Sequence, residues 1–266
     1  MHANRLRQIW AEGRPALNAW CSLGGAMVAE AMAAQGWDTL TIDTQHGVIG
    51  YDQMMPMLQA LSITATPAFV RVPWNQPDHI MKALDAGAQG VIVPMVDSEE
   101  DARAAVRAAK YPPVGTRSWG PIRAALDVPD YSPETANRRT IVAVMIETPG
   151  GVRNLDAILA VPGVDAVYVG PSDLALGHGM TPTLNATDPE HEKLIDTIIE
   201  ACRRHGKVAG IHCDSAETVR RWHARGYGMF TVGSDAALMR SAATAVIAQS
   251  FEGGREVRLP QTGQYA

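Results

Sequence analysis

The stretch Gly163-Val-Asp-Ala-Val-Tyr-Val-Gly-Pro-Ser-Asp173 carries the pattern that decides the fold of this chain. A glycine-led turn feeds a short apolar run, and the run ends in a polar cluster at Gly170, Ser172 and Asp173. A run that is apolar without alternation is typical of a parallel strand that is buried on both faces. We therefore expect the polar residues to lie at the carboxyl end of a buried strand.

The same pattern recurs along the chain and predicts eight strands. The runs cover residues 17–21, 39–43, 68–72, 90–94, 141–147, 166–170, 208–212 and 229–233. Helix-like stretches separate most of them, and the one over 98–110 begins with a capping pattern, Ser98-Glu-Glu-Asp101. Eight strands that alternate with helices favour a closed barrel over an open sheet. We predict a single α/β domain, a (β/α)8 or TIM barrel, over residues 1–250, followed by a polar tail over 251–266.

Composition excludes several classes of protein. The net charge of −5 and the absence of a basic run argue against nucleic acid as a partner. Three cysteines without a CxxC pair argue against a disulfide framework and against a cysteine zinc site. No stretch approaches the roughly 20 apolar residues of a membrane span, so we expect no membrane partner. The first residues lack the apolar core of a signal peptide, which predicts a cytoplasmic protein.

Polar residues at the strand ends predict the site, because the active site of such a barrel lies at the carboxyl ends of its strands. Glu147 and Asp173 offer oxygen ligands to Mg²⁺ or Mn²⁺, or one of them pairs with Arg71. Arg71 either holds a substrate carboxylate or an enolate, or it makes a structural ion pair. Asp43 ends an apolar run and must be paired or metal-bound if buried. His46, in a polar turn, is a candidate general base or a surface histidine.

Other features leave alternatives open. Gly233-Ser-Asp235 precedes the last predicted helix and could receive a phosphate, as in a barrel isomerase. His212 could face the site, but we expect it to have a packing or supporting role. The lysines do not follow strand ends, which argues against Schiff-base chemistry. The long connection 111–140 is a candidate cover for the site.

Six segments in this order resemble the metal-dependent (class II) pyruvate aldolases, the family that includes 4-hydroxy-2-oxoheptanedioate aldolase and 2-dehydro-3-deoxyglucarate aldolase. The segments are Ile42-Asp-Thr-Gln-His-Gly47, Arg71-Val-Pro-Trp-Asn75, Lys82-Ala-Leu-Asp-Ala-Gly-Ala-Gln-Gly-Val-Ile-Val-Pro-Met95, Tyr111-Pro-Pro-Val-Gly-Thr-Arg117, Met145-Ile-Glu-Thr148 and Val164-Asp-Ala-Val-Tyr-Val-Gly-Pro-Ser-Asp-Leu174. The resemblance implies a carbon–carbon lyase that acts on pyruvate or hydroxypyruvate, as the 2-oxo acid, and an aldehyde.

The resemblance also implies roles at matching positions. His46 matches the general base, Asp43 an acid near it, and Asp85 an acid that raises its proton affinity from a neighbouring subunit. Arg71 matches the residue that stabilises the enolate. The metal ligands match Glu147 and Asp173, which implies Mg²⁺, Mn²⁺ or Co²⁺ as the cofactor; the substrate-binding positions match Gly170, Met145, Ser172, Asp173 and Arg71. The family's assembly implies a homohexamer, a trimer of dimers that exchange the helix over 236–250.

One departure from the family lies at Met145, where related chains often carry a polar residue. The loop around Trp119 is a further candidate for setting the aldehyde preference. A citramalyl- or malyl-CoA-type lyase of the same barrel superfamily remains the alternative among enzymes, although the basic surface that CoA phosphates need is not visible in the sequence. A barrel that serves only as an assembly scaffold would leave the acids, the arginine and the histidine at the strand ends without a reason.

Overall fold

The computed structural model describes residues 4–250, and within them eight parallel strands close into a barrel. The strands are β1 (Ala16–Cys21), β2 (Thr39–Asp43), β3 (Ala68–Arg71), β4 (Gly90–Val93), β5 (Ile141–Met145), β6 (Ala166–Val169), β7 (Val208–Cys213) and β8 (Met229–Val232). Each strand pairs with the next one along the chain, and β8 pairs with β1. The predicted (β/α)8 barrel is confirmed, while the predicted tail over 251–266 lies outside the described residues.

Twelve helices accompany the strands within the described residues. They are α1 (Arg5–Ala11), α2 (Ala26–Ala33), α3 (Tyr51–Ser62), α4 (Pro77–Asp85), α5 (Glu99–Ala109), α6 (Pro133–Arg139), α7 (Pro149–Arg153), α8 (Leu155–Leu159), α9 (Pro171–Gly177), α10 (Pro189–Arg204), α11 (Ala216–Ala224) and α12 (Asp235–Gln249). None of the helices in this part of the chain is both long enough and apolar enough to cross a membrane.

Local sequence explains where the helices begin. The Ser98 side chain accepts a hydrogen bond from the Asp101 amide and so caps α5, as the sequence predicts. Three acidic residues fill the first turn of α5, where the helix dipole favours negative charge. Its buried alanines and Val106 lie on the face that packs against the barrel.

Strand alternation divides the apolar residues into two cores. Side chains such as Leu40, Ile42 and Val144 point outward and pack under the helices. The other set points inward and fills the barrel, where it includes Phe69, Ile92 and Tyr168. Helix α1 supplies Leu6 and Ile9 to this inner core, which places it across the amino ends of the strands. The carboxyl ends of the strands form the opposite mouth, which we call the barrel mouth.

The ends of the elements differ from the sequence-based prediction in ways that affect the site. Strand β5 ends at Met145, so Glu147 lies two residues beyond the strand, just before Thr148, which caps α7. Asp173 lies in the first turn of α9, a helix that the sequence pattern does not predict. A short helix, α6, occupies the end of the long connection 111–140. These turns are too short to show helical periodicity in the sequence.

Helix α12 makes little contact with its own barrel. Asp235 is its one buried residue, whereas Met239 is 60 % exposed and Val246 is 67 % exposed. The Asp235 carboxylate accepts hydrogen bonds from the Ser22 and Leu23 amides, in the loop that follows β1. The helix is therefore anchored at its first residue and presents apolar side chains along the rest of its length.

Candidate active site

Asp43 and Arg71 form a buried ion pair at the barrel mouth. They are register partners at the ends of β2 and β3, and Arg71 donates from Nε and Nη2 to the two carboxylate oxygens over 2.8 and 2.6 Å. Burial opposes the charge on Asp43, but the hydrogen bonds and charge of Arg71 outweigh it and hold the pKa of Asp43 below its usual range. Arg71 thus pairs with Asp43 rather than with either predicted metal ligand.

Trp20 supports this ion pair from β1. Its indole Nε1 donates to Asp43 Oδ2 over 3.2 Å, and the Arg71 guanidinium carbon lies 4.8 Å from the centre of its ring. A planar guanidinium stacks well on an aromatic face. Trp20 therefore holds the pair from a second side, a role that sequence reasoning missed because Trp20 stands within an otherwise apolar run.

The loop that carries His46 is tied to Asp43. The amides of Gln45 and His46 donate to Asp43 Oδ1 over 3.1 and 3.3 Å, and the His46 side chain is exposed. A Cβ at Gly47 would collide with the backbone oxygen of Asp43, so this tight approach requires glycine. The structure therefore brings His46 to the rim beside Asp43 and Arg71.

Glu147 is a deeply buried acid of the site, at 3 % exposure. Its Oε1 accepts a hydrogen bond from the Met95 amide over 2.9 Å, and Met95 adopts a left-handed backbone conformation with φ of 55°. Such a φ is uncommon for a residue other than glycine and clusters at functional sites. Burial raises the pKa of Glu147 to about 7, and the nearby charge of Asp173 adds to the effect.

Gly170 leaves open space beside the second oxygen of Glu147. A Cβ at this position would lie 2.8 Å from Glu147 Oε2 and 3.1 Å from Met145 Cε. Gly170 precedes α9, whose first turn carries Ser172 and Asp173, both partly exposed. Gly170, Met145 and Glu147 therefore meet at one point, and α9 brings Ser172 and Asp173 to the same edge of the barrel mouth.

Glu147 and Asp173 suit a divalent cation that is hard and prefers oxygen. Within residues 4–250, no group of three or more acidic, histidine or cysteine side chains is arranged to hold a metal, so the protein offers this pair and no larger cluster. A buried carboxylate with a raised pKa and an acid as its neighbour is stabilised by a cation between them. The free space that Gly170 leaves at Oε2 is consistent with that position.

Asp85 lies apart from these residues within one chain. It ends α4, which runs back from the barrel mouth to the amino ends of the strands, and its carboxylate binds Arg117 over 2.6 Å. The Arg117 side chain is 1 % exposed in this ion pair. An action of Asp85 on His46 would therefore require two subunits.

The Gly233-Ser-Asp235 segment caps α12 with its own side chains. Ser234 accepts from the Ala237 amide, and Asp235 accepts from the Ala236 amide. Two amides at this helix start thus already have acceptors, and one of these acceptors is a carboxylate. A phosphate at these residues would have to compete with both side chains.

A buried polar network on the β6–β8 side of the barrel was also missed. Tyr168 donates to Thr231 Oγ1 over 2.7 Å, and its oxygen lies 3.1 Å from His212 Nδ1. The His212 ring meets Trp20 edge to face, with the ring centres 5.2 Å apart. The period of two that places Trp20, Tyr168 and His212 on inward positions is present in the sequence, but their contacts across the barrel are not.

Comparison with known proteins agrees with this architecture. A sequence profile described as HpcH/HpaI aldolase/citrate lyase matches residues 17–242. A hydroxypyruvate/pyruvate aldolase from Rhizorhabdus wittichii is 39% identical over 247 residues, which cover 93% of this chain and 98% of the relative. A 4-hydroxy-2-oxo-heptane-1,7-dioate aldolase from Klebsiella pneumoniae is 37% identical over 92% of this chain and 93% of its own.

A solved structure shares the fold over nearly its whole length. It is that of an HpcH/HpaI aldolase/citrate lyase family protein from Burkholderia cenocepacia, which superimposes with a TM-score of 0.85 at 31% identity. The match covers 92% of this chain and 98% of that one.

Proposed function

Because the chain belongs to the HpcH/HpaI aldolase/citrate lyase family, we propose that it is an aldehyde-lyase that makes or breaks a carbon–carbon bond between a 2-oxo acid and an aldehyde. The 2-oxo acid is pyruvate or hydroxypyruvate, the two substrates for which the relative from Rhizorhabdus wittichii is named. The observation that carries this proposal is the buried Glu147 carboxylate, whose pKa the charge of Asp173 helps to raise, at the same barrel mouth as the Asp43–Arg71 pair.

Glu147 and Asp173 would hold the divalent metal, with Mg²⁺, Mn²⁺ or Co²⁺ as candidates. When bound, such an ion supplies Lewis acidity to the carbonyl of the 2-oxo acid. The Met95 amide fixes one oxygen of Glu147, and the absence of a side chain at Gly170 keeps the other accessible. Ser172, Gly170 and Met145 would line the place of the substrate carboxylate and carbonyl.

Arg71 would stabilise the negative charge that develops on the enolate oxygen. Asp43 occupies Nε and Nη2, so Nη1 is the guanidinium nitrogen left to meet a substrate. A donor that is already oriented needs no reorganisation as charge develops, which is the main source of electrostatic catalysis. Asp43 and Trp20 are therefore positioning residues for Arg71.

His46 would remove the proton from the carbon next to the carbonyl and return it in the reverse direction. Its exposed imidazole lies on the loop that Asp43 ties down, and histidine is the side chain that most often serves as a general base. Asp85 of a neighbouring subunit would raise the proton affinity of this histidine. Within one chain, Asp85 lies at the far end of α4 from the barrel mouth, so only the Asp85 of another subunit could act on His46.

A homohexamer built from dimers that exchange α12 is part of this proposal. The exposed apolar side chains of α12, including Met239 and Val246, favour burial against another subunit. A cytoplasmic location is proposed as well, on the sequence argument alone.

Deuterium exchange into the methyl group of pyruvate in D₂O tests the proposal without knowledge of the aldehyde. The exchange should stop with EDTA and return with added Mg²⁺ or Mn²⁺. Its rate should fall by about 10²–10⁴-fold in His46→Asn, since that is the usual contribution of a general base. Absence of exchange with pyruvate and with hydroxypyruvate, under every metal, would contradict the proposed function.

A further inference from the structure

His212 is a titratable residue at the barrel mouth that the proposed chemistry does not use. It lies on β7 on an inward position, between the outward-facing Ile211 and Cys213, and it is partly exposed. Its ring lies against Trp20, on whose face Arg71 stacks, so His212 and the Asp43–Arg71 pair belong to one site. A polar ring atom at this place can contact a bound substrate.

The hydrogen bonds of Tyr168 fix the tautomer of His212. Tyr168 has one hydroxyl proton, and it donates this proton to Thr231 Oγ1 over 2.7 Å. At the 3.1 Å contact with His212 Nδ1, Tyr168 is therefore the acceptor and the imidazole Nδ1–H is the donor. A neutral imidazole with a proton on Nδ1 has a lone pair on Nε2.

The network behind Tyr168 holds this arrangement in place. Thr231 Oγ1 also accepts from Asn18 Nδ2 over 2.8 Å, and Asn18 Oδ1 accepts from Thr41 over 3.0 Å. Asn18, Thr41 and Thr231 are fully buried, so these hydrogen bonds support Tyr168 from the inside of the barrel.

His212 stays neutral around pH 7. Burial and, to a smaller extent, the charge of Arg71 lower the pKa of His212 to about 4, against the opposite effect of Asp43. Among the residues that the structure describes, none makes a hydrogen bond to Nε2. The barrel mouth therefore presents an acceptor that needs a hydrogen-bond donor.

From this geometry we infer that His212 Nε2 accepts a hydrogen bond from a hydroxyl group of the substrate. This inference rests on the proposed function and specifies its substrate class. A carboxylate, a ketone and an aldehyde have no proton to donate, so a hydroxyl is the one group of such substrates that satisfies Nε2. The hydroxyl belongs either to the donor, as in hydroxypyruvate, or to the aldehyde, as in glycolaldehyde.

The test compares matched substrates in wild type, His212→Leu and His212→Asn. One series measures hydrogen exchange of hydroxypyruvate against pyruvate, and the other measures aldol addition of pyruvate to glycolaldehyde against acetaldehyde. His212→Leu should lower the kcat/KM ratio of the hydroxylated over the plain substrate by about tenfold in one series, the effect of one lost hydrogen bond. His212→Asn, which keeps an acceptor, should restore part of the ratio.

The series in which the ratio falls identifies the substrate that carries the hydroxyl. His205→Leu is the control, because His205 caps α10 near the amino end of β7, away from the barrel mouth, and binds Asp156. Nitrogen NMR of ¹⁵N-histidine-labelled protein adds an independent readout and should show a protonated Nδ1 and a bare Nε2 on His212.

Unchanged ratios in both series, or a proton on Nε2, would overturn this inference while the aldolase proposal stands. If the wild type exchanges hydrogen in neither pyruvate nor hydroxypyruvate and forms no aldol adduct, the proposed function fails and the inference fails with it. Should His212→Leu fold poorly, Tyr168→Phe provides the second variant. Loss of its hydroxyl frees the tautomer, and the same ratio should fall.

Discussion

Arg71 donates hydrogen bonds to both carboxylate oxygens of Asp43, over 2.8 and 2.6 Å, and these bonds leave Nη1 of its guanidinium for a ligand in the barrel mouth. This two-point contact fixes the orientation of the arginine before any substrate arrives. Asp43 also accepts from Trp20 and from two amides of the His46 loop. The Asp43 carboxylate therefore orients both Arg71, the candidate enolate stabiliser, and the loop of His46, the candidate base.

Arg71→Lys should lower the rate of pyruvate methyl exchange by about 10²-fold, because an ammonium keeps the charge but cannot make the two-point contact. Steady-state kinetics in the presence of Mn²⁺ would measure the effect. Arg103→Lys is the matched control, since Arg103 makes an exposed pair with Glu99 on α5. Equal rates in the two variants would argue against the role of Arg71.

Glu147→Gln should change the pH dependence of stability. In the metal-free protein, burial raises the pKa of Glu147 to about 7 from 4.5, so the folded state keeps a proton that the unfolded state has lost. Glu147 therefore makes the metal-free protein less stable as the pH rises from 4.5 to 7. The variant should gain roughly 2–4 kcal/mol relative to wild type over this interval.

Urea unfolding in EDTA at pH 5 and pH 8 would measure that difference. Glu200→Gln, on an exposed position of α10, should follow the wild type at both pH values. Saturating Mn²⁺ should stabilise the wild type and not Glu147→Gln. A constant difference between Glu147→Gln and wild type across the pH range would show that Glu147 titrates normally.

Gly170→Ala should weaken the binding of Mn²⁺ by about tenfold or more, an effect typical of disturbed support for a metal ligand. The added Cβ would stand 2.8 Å from Glu147 Oε2 and force the carboxylate to move. Calorimetric titration with Mn²⁺ would give the affinity. Gly120→Ala is the control, because a Cβ there meets no atom within 4 Å. Unaltered affinity in Gly170→Ala would place the metal away from Oε2.

Mixed subunits can test whether Asp85 acts across an interface. His46→Asn and Asp85→Asn should each lose most of the exchange activity. After the two variants are dissociated together and reassembled, roughly a quarter of the sites would combine a native His46 with a native Asp85 of the neighbour. Recovery of about that fraction is the expected result. Because Asp85→Asn also weakens the hold on buried Arg117, its thermal unfolding must be measured alongside.

No recovery in such mixtures, from variants that fold and assemble, would restrict Asp85 to its ion pair with Arg117. The same preparations would report the oligomeric state by light scattering. The homohexamer remains a prediction until such a measurement is made.

The barrel could be predicted from the sequence because its strands are buried on both faces. Runs such as 90–94 and 166–170 are apolar throughout, and helices separate most of the runs at the spacing of a closed parallel sheet. The strand ends then predicted that Asp43 and Arg71 lie on one rim, and the structure pairs them in register at the ends of β2 and β3. The roles of the site residues stay predictions.

The rest depends on contacts between residues that are distant in sequence. Trp20 and His212 meet although 192 positions separate them, and no feature of the sequence shows this contact. The left-handed conformation of Met95 leaves no sign in its side chain, since methionine is not a turn residue. The short helix α7 begins at the Thr148 cap, whereas α8 and α9 have no side-chain cap and depend on tertiary packing rather than on periodicity.

The anchoring of α12 connects this projecting helix to the loop that carries His46. Asp235 holds the Ser22 amide, and the Ser22 carbonyl accepts from the Val48 amide, two residues past His46. Three links thus lead from the first residue of a projecting helix to the loop of the candidate base. Under the proposed exchange, a substitution that strengthens the contact of α12 with another subunit would also change the position of His46. The interface and the turnover rate would then be subject to a common evolutionary constraint.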